Sequence, residues 1–160
     1  MTVSIRRARP NDHATLVEYN RRMAWETEQK RLDDHALSQG VAAALADPAK
    51  GFYLVAERDG EILGQLMITS EWSDWRNGFF WWIQSVYVRE DARRQGVFRC
   101  LYREIERIAE ETGNIVGIRL YVERDNVRAQ KTYAELGMKE EGYCIYGRHP
   151  FHADDDSDRK

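Results

Sequence analysis

The sequence predicts an α/β fold in one domain, with a mixed antiparallel/parallel central sheet flanked by helices. Three observations carry that expectation. Residues 52–69 read as two strands joined by Asp59-Gly60, the chemistry of a tight hairpin. Residues 79–122 read strand, helix, strand, a unit that requires a parallel pair and a right-handed crossover. Apolar residues at helical spacing precede the hairpin and follow the crossover.

The elements follow in order. Val3 and Ile5 alternate with polar neighbours and suggest a short first strand. Asn11 or Asp12 can cap a helix whose apolar face is Leu16, Val17, Tyr19, Met23 and Ala24. A second helix begins near Asp33 or Asp34, runs through Leu37, Val41 and Leu45, and is stopped by Asp47-Pro48. The hairpin strands are FYLVAE (52–57) and EILGQLMIT (61–69). Asn77-Gly78 marks a turn into a third long strand, FFWWIQSVYV (79–88), which extends an antiparallel meander. Val97, Leu101, Tyr102, Ile105, Ile108 and Ala109 then keep helical spacing up to Gly113. A strand at 115–122, a helix from Asn126 to Leu136 closed by Gly137, and a last strand within 139–146 complete the order.

The bulk properties narrow the function classes. A chain of 160 residues suits one domain, expected at 1–148, with a polar, mobile tail at 149–160. A net charge of -3 argues against nucleic acid as the main partner. No apolar run is long enough to span a bilayer, and MTVSIRRARP has no signal-like apolar region, so no membrane and a cytoplasmic location are expected. Cys100 and Cys144 form no metal-ligand spacing, and Cys100 reads as a small buried residue. His13, His35, His149 and His152 are scattered, so no metal site is expected. Arg6-Arg7 reads as a solvated face.

The chemistry concentrates in SVYVREDARRQGVF (85–98), where a strand ends, Arg93, Arg94, Gln95 and Gly96 form a loop, and a helix starts. Unpaired amides at a helix N-terminus attract anions, glycine admits close approach, and arginines add charge, which together suit a pyrophosphate. Taken alone, such a loop is also what many solvated helix starts look like. Further on, Asn126, Ala129, Tyr133 and Gly137 keep the spacing N-x-x-A-x-x-x-Y-x-x-x-G, with Ala129 and Tyr133 one turn apart on one face.

Together, and in this order, Val88, Arg93, Gly96, Asn126, Ala129, Tyr133 and Gly137 make the chain resemble the GCN5-related N-acetyltransferase (GNAT) superfamily over nearly its whole length. The resemblance implies the GNAT-like acyl-CoA N-acyltransferase fold and acetyl-CoA as co-substrate. It implies a cleft between the strands ending at Val88 and Val122, with the backbone of Val86, Tyr87 and Val88 pairing with the pantetheine arm. The loop Arg93, Arg94, Gln95, Gly96, Val97 and Phe98 would hold the pyrophosphate; Asn126 would bond the pantetheine, with Ala129 leaving room beside Tyr133 near the thioester sulfur. Phe98 departs from the small residue usual there, and one strand is expected after the last helix where many members have two. The resemblance also admits a homodimer.

Acyl transfer to an amine needs a proton donor for the leaving thiolate, and Tyr133 can serve. The strand before the loop offers Trp81, Trp82, Gln84 and Ser85, none of them a base. Glu71 leads the candidates, with Asp74, Glu26, Glu28 and an unassisted water chain beside it. EWSDWRNGFFWW (71–82) holds four of the five tryptophans, and carboxylates beside aromatic faces suit a cation. Trp25, Glu26, Glu28, Glu71, Trp72, Asp74 and Gln84 are therefore the candidate acceptor residues. The leading expectation is acetylation of a small-molecule amine. A protein or peptide acceptor, and a CoA-binding module without turnover, remain as alternatives.

Overall fold

The computed structural model describes residues 3–148; the tail expected at 149–160, with His149 and His152, lies outside the described residues. The chain divides into two compact units, Met1–Glu123 and Arg124–Lys160.

In the first unit, β1 (Ser4–Arg7), β2 (Phe52–Arg58), β3 (Glu61–Ser73), β4 (Gly78–Val88) and β5 (Ile115–Leu120) form one sheet in that spatial order. The first four strands are antiparallel; β5 joins β4 in parallel after the crossover helix α3 (Val97–Thr112), as the sequence requires. Helices α1 (His13–Glu28) and α2 (Asp34–Ala46) precede the hairpin. Asp33 caps α2 by accepting from the Ala36 amide at 2.7 Å. Leu16 and Val17 of α1 and Val41 and Ala44 of α2 bury against Tyr53 and Val55 of β2, with Met67 packed beside them. Along β3, Met67 and Gly64 point to opposite faces. A Cβ at Gly64 would lie 3.1 Å from Val97 Cγ1, so α3 covers the face that α1 and α2 do not.

Several expectations need correction. Arg6 is not on a solvated face. Ser4 stands opposite Glu57, which makes Arg6 its diagonal neighbour, and Arg6 bonds both Glu57 (2.6 Å) and the buried Asp12 (2.7 Å). Cys100 is exposed, because the buried stripe of α3 is Val97, Leu101, Tyr102 and Ile105 and Cys100 falls off it. Strand β3 runs on to Ser73, four residues beyond 69, since Thr69, Ser70, Glu71, Trp72 and Ser73 all pair with β4. At the Asn77-Gly78 turn the left-handed residue is Asn77 (φ 48°). Gly78 is needed for space, because a Cβ there would meet Val116 Cγ1 at 2.5 Å and Asn114 O at 2.8 Å.

The second unit contains α4 (Val127–Glu135), capped by Asn126 and closed by Gly137 (φ 86°). No strand forms at 139–146. Tyr143, Ile145 and Tyr146 are exposed, so the apolar alternation that suggested one buries no face.

Candidate active site

The site begins with a mismatch between two ladders. Strand β5 pairs with β4 from Phe79↔Ile115 to Ile83↔Leu120 and then ends, while β4 continues to Val88. On the other side, Gln65 faces Tyr87 and Met67 faces Gln84, so Ser85 and Val86 both stand against Leu66. This is a β-bulge on β4, with Ser85 at φ 51°. The Arg89 amide donates to Leu63 O at 2.8 Å, on the β3 side. In the same planar peptide, Val88 O points the opposite way, toward the side that β5 has left. By alternation the Val86 backbone shares that side, while the Tyr87 backbone turns to β3. Of the three residues expected to pair with a pantetheine arm, Val86 and Val88 present their backbone groups there.

Past Val88 a 3₁₀ turn (Glu90–Ala92) leads into the loop. Arg94 adopts φ 63° and is exposed; Gly96 adopts φ 79° at the head of α3. Gly96 brings no capping side chain to the head of α3, and a Cβ there would meet nothing within 4 Å, so the approach to the helix N-terminus is open at this residue. Val97 is buried and anchors the helix against Gly64. The Phe98 ring lies beside Tyr102, one turn along α3 with ring centres 6.3 Å apart, so its bulk runs along the helix. The space and the donors fit a pyrophosphate. Gln95 is occupied by the loop itself, donating to Asp91 O at 2.7 Å. Arg93 turns inward: Nε donates to Val88 O (2.9 Å), Nη2 to Glu26 Oε2 (2.5 Å), and the guanidinium lies 5.6 Å from the Tyr87 ring centre.

A second group of side chains shares the sheet face that α1 and α2 cover. Gln84, directly opposite Met67, donates to Thr69 Oγ1 at 2.6 Å. Thr69, Glu71, Phe80 and Trp82 share that face by register. Trp82 Nε1 donates to Glu71 Oε2 at 2.5 Å, and Arg119 Nη1 lies 3.6 Å from Glu71 Oε1. Arg119 covers the Phe80 ring at 3.6 Å, and Trp82 stacks on Tyr121 at 4.4 Å. Both oxygens of Glu71 therefore face donors, which holds the carboxylate in place as a wall on this sheet face. Trp82, Arg119 and Tyr121 were not among the expected acceptor residues; adjacent strand residues face opposite sides, so at most one of Trp81 and Trp82 can lie here, and nothing local marks which.

The other expected acceptor residues disperse. Trp72 turns to the opposite face and meets Phe79 edge-on at 4.9 Å, as Trp81 meets Phe52 at 5.4 Å. Asp74 sits in the exposed turn and accepts from the Trp75 amide. Trp25 is half-exposed on α1 with Arg31 5.7 Å from its ring, and Glu28 is exposed at the helix end. Glu26 is committed to Arg93 and Tyr87.

Within the second unit, Asn126 Oδ1 caps α4 by accepting from the Ala129 amide at 3.1 Å. Tyr133 follows Ala129 by one turn, and burial pushes its phenol above the ordinary tyrosine value. Among the described residues no cluster of His, Cys, Asp and Glu could hold a metal ion, and no helix is long and apolar enough to cross a membrane.

Comparison with known proteins bears on the same elements. Residues 13–138 match the acetyltransferase (GNAT) family. A mycothiol acetyltransferase from Corynebacterium aurimucosum is 29% identical over 134 residues, 81% of this chain and 43% of that protein. The chain thus spans less than half the length of this curated relative. The crystal structure of a possible acetyltransferase from Clostridium difficile 630 superposes with a TM-score of 0.88 at 45% identity, covering 95% of this chain and all of that one. A more distant likeness in fold is AAC(6')-Iy, solved with the bisubstrate analogue CoA-S-monomethyl-acetylneamine: TM-score 0.72, 18% identity, 94% of this chain and 99% of that one. With the family match spanning both β4 with its loop and the Asn126–Tyr133 helix, this chain belongs to the acetyltransferase (GNAT) family.

Proposed function

We propose that this protein is an acetyl-CoA-dependent N-acetyltransferase that acts on the primary amine of a small molecule, by direct attack of the amine on the thioester. The observation that carries it is the bulged end of β4. The Val86 backbone and the Val88 amide, on the side that β5 has left, lie on the same strand end as the start of α3, where Gly96 brings no capping side chain. An extended amide-bearing arm can add to the first as a strand would, and a pyrophosphate can accept from the second. The exposed Arg94 adds charge beside them.

Acetyl-CoA, when bound, supplies an activated acetyl thioester. The chain's own residues handle the protons and the acceptor. A lysine-like amine is neutral to only about one part in a thousand at pH 7. Glu71, fixed by Trp82 and Arg119, attracts the amine as a cation, and the stacked Trp82 and Tyr121 rings add flat surface beside it. The proton then leaves to water. Tyr133 donates to the departing sulfur; burial keeps its phenol protonated throughout the working range. An ordinary tyrosine stands about 1.5 units above a thiol, a transfer costing about 2 kcal/mol, within reach of a turnover step.

Support for a small acceptor comes from the compact wall on one sheet face and from the curated relative, which is named for mycothiol. A thiol-release screen with acetyl-CoA against polyamines, aminoglycosides, amino sugars, amino acids and peptides tests the reading. Turnover is expected with a small amine. Turnover confined to peptides would replace the acceptor class, and acetyl-CoA binding without any turnover would leave a binding module.

A further inference from the structure

Arg93 is held from three sides. Its Nε donates to Val88 O at the end of β4, its Nη2 to Glu26 Oε2 on α1, and its guanidinium lies near the Tyr87 ring. Glu26 is held as well, since its other oxygen accepts from the Tyr87 hydroxyl at 3.3 Å. Tyr87 is buried and packs at 4.8 Å against Tyr19, whose hydroxyl donates to Ile62 O. A continuous chain of contacts thus runs from β3 through α1 to the last carbonyl of β4. By contrast Arg94, the next residue, is exposed and held by no hydrogen bond or ion pair among the described residues.

We propose that Glu26 is a positioning residue for the cofactor loop: it holds Arg93 as a strut between α1 and the end of β4, so that the loop amides and Arg94, not the Arg93 guanidinium, meet the pyrophosphate. The inference rests on the acetyl-CoA reading above. The strut starts the loop at a fixed angle from Val88, and Gly96 then delivers the first amides of α3 outward. It also caps the free edge of β4 at Val88 O, which leaves the Val88 amide and the Val86 backbone for the pantetheine arm.

A rival geometry makes Glu26 a latch that occupies Arg93 until pyrophosphate displaces it. The two differ in sign. Acetyl-CoA affinity is measured by calorimetry for the wild type, Glu26→Gln, Arg93→Gln, Glu26→Gln/Arg93→Gln and Arg94→Gln, each at several salt concentrations. A half-exposed pair of this kind predicts that Glu26→Gln weakens binding about threefold to fivefold. The double variant should bind no worse than the weaker single variant, because both remove one strut. The salt dependence should flatten in Arg94→Gln and stay that of the wild type in Glu26→Gln/Arg93→Gln, which removes the ion pair as a neutral unit and leaves the net charge within a Debye length of the pyrophosphate unchanged. Tighter or unchanged binding by Glu26→Gln overturns the proposal, and so does a flattened salt dependence in the double variant, which would mean that Arg93 meets the pyrophosphate directly. Absence of binding by the wild type is a different result, and refutes the cofactor reading itself.

Discussion

The start of α3 can be moved by one methyl group. A Cβ at Gly64 would lie 3.0 Å from Tyr87 O, 3.1 Å from Val97 Cγ1 and 3.3 Å from Val88 Cγ2. The Tyr87 oxygen belongs to a ladder and cannot retreat without breaking it, so α3 must yield at Val97. Overpacking of this kind costs about 1–3 kcal/mol. A chain of this size loses about 2–4 °C of melting temperature per kcal/mol, so Gly64→Ala should melt several degrees lower. Because Val97 opens the helix whose amides are assigned to the pyrophosphate, acetyl-CoA affinity should fall by about tenfold, more than fold destabilisation alone would give. Gly40→Ala is the control. Gly40 lies inside α2 with nothing within 4 Å of its would-be Cβ, so alanine there should stabilise by about 0.5–1 kcal/mol and leave affinity alone. Thermal unfolding and calorimetry of both variants decide the matter. If Gly64→Ala binds acetyl-CoA as the wild type does, the loop is not positioned through Val97, and the account of the site is wrong.

Tyr133→Phe should lower the turnover number by a factor of at least about 100 while changing acetyl-CoA affinity little; equal losses in both would remove Tyr133 from the donor role. Glu71→Gln keeps the shape of the wall and removes its charge, so the acceptor KM should rise by about tenfold with the acetyl-CoA KM unchanged, as steady-state kinetics would report. Asp12→Asn should cost about 1–3 kcal/mol at neutral pH, because Arg6 holds the Asp12 carboxyl below its ordinary value. With the folded value depressed, that stability is present above the unfolded value near 4 and disappears as the pH falls through the folded one. The melting temperatures of wild type and variant should therefore converge below about pH 4.

Legibility in the sequence followed the range of the forces involved. Helices α1, α2 and α3 announced themselves because periodic stripes and caps are local: Asp33 caps α2 and Gly113 (φ 80°) ends α3 where expected, while Asp12 at the head of α1 makes no cap bond and binds Arg6 and the Arg9 amide instead. The Asp59-Gly60 hairpin was readable for the same reason, with φ of 54° and 81° at its two residues. What stayed hidden depends on register across strands. The extension of β3 through Ser70, Glu71 and Ser73 looks polar and loop-like, and exists because β4 pairs with it. The bulge at Ser85 follows from no residue preference, since serine is no αL former. Glu26 and Arg93 are 67 residues apart, so their meeting could not be inferred from either neighbourhood. Glu71 and Trp72 looked like one acceptor wall in a loop; once they lie in a strand, alternation separates them.

The positions that break local rules carry information of their own. Among the described residues, five besides glycine adopt positive φ: Gln29, Asp59, Asn77, Ser85 and Arg94. Gln29 ends α1 and the next two make hairpin turns, where the left-handed conformation closes the chain on itself. Ser85 and Arg94 close no helix or hairpin. They bracket the end of β4, and beside Ser85 lies Gln65, fully buried, with Nε2 donating to Ser85 O at 3.3 Å and Oε1 satisfied by nothing. Each such feature costs about 1–3 kcal/mol. A fold under no other demand would lose a register shift that leaves a carboxamide oxygen orphaned. Straightening β4 would restore that ladder, but it would also return the Val86 and Val88 backbone to ordinary strand register and let β5 continue beside them. The strain and the open edge fall at the same end of one strand. That is the physical reason to place the chemistry at the end of β4, independent of any likeness to other proteins.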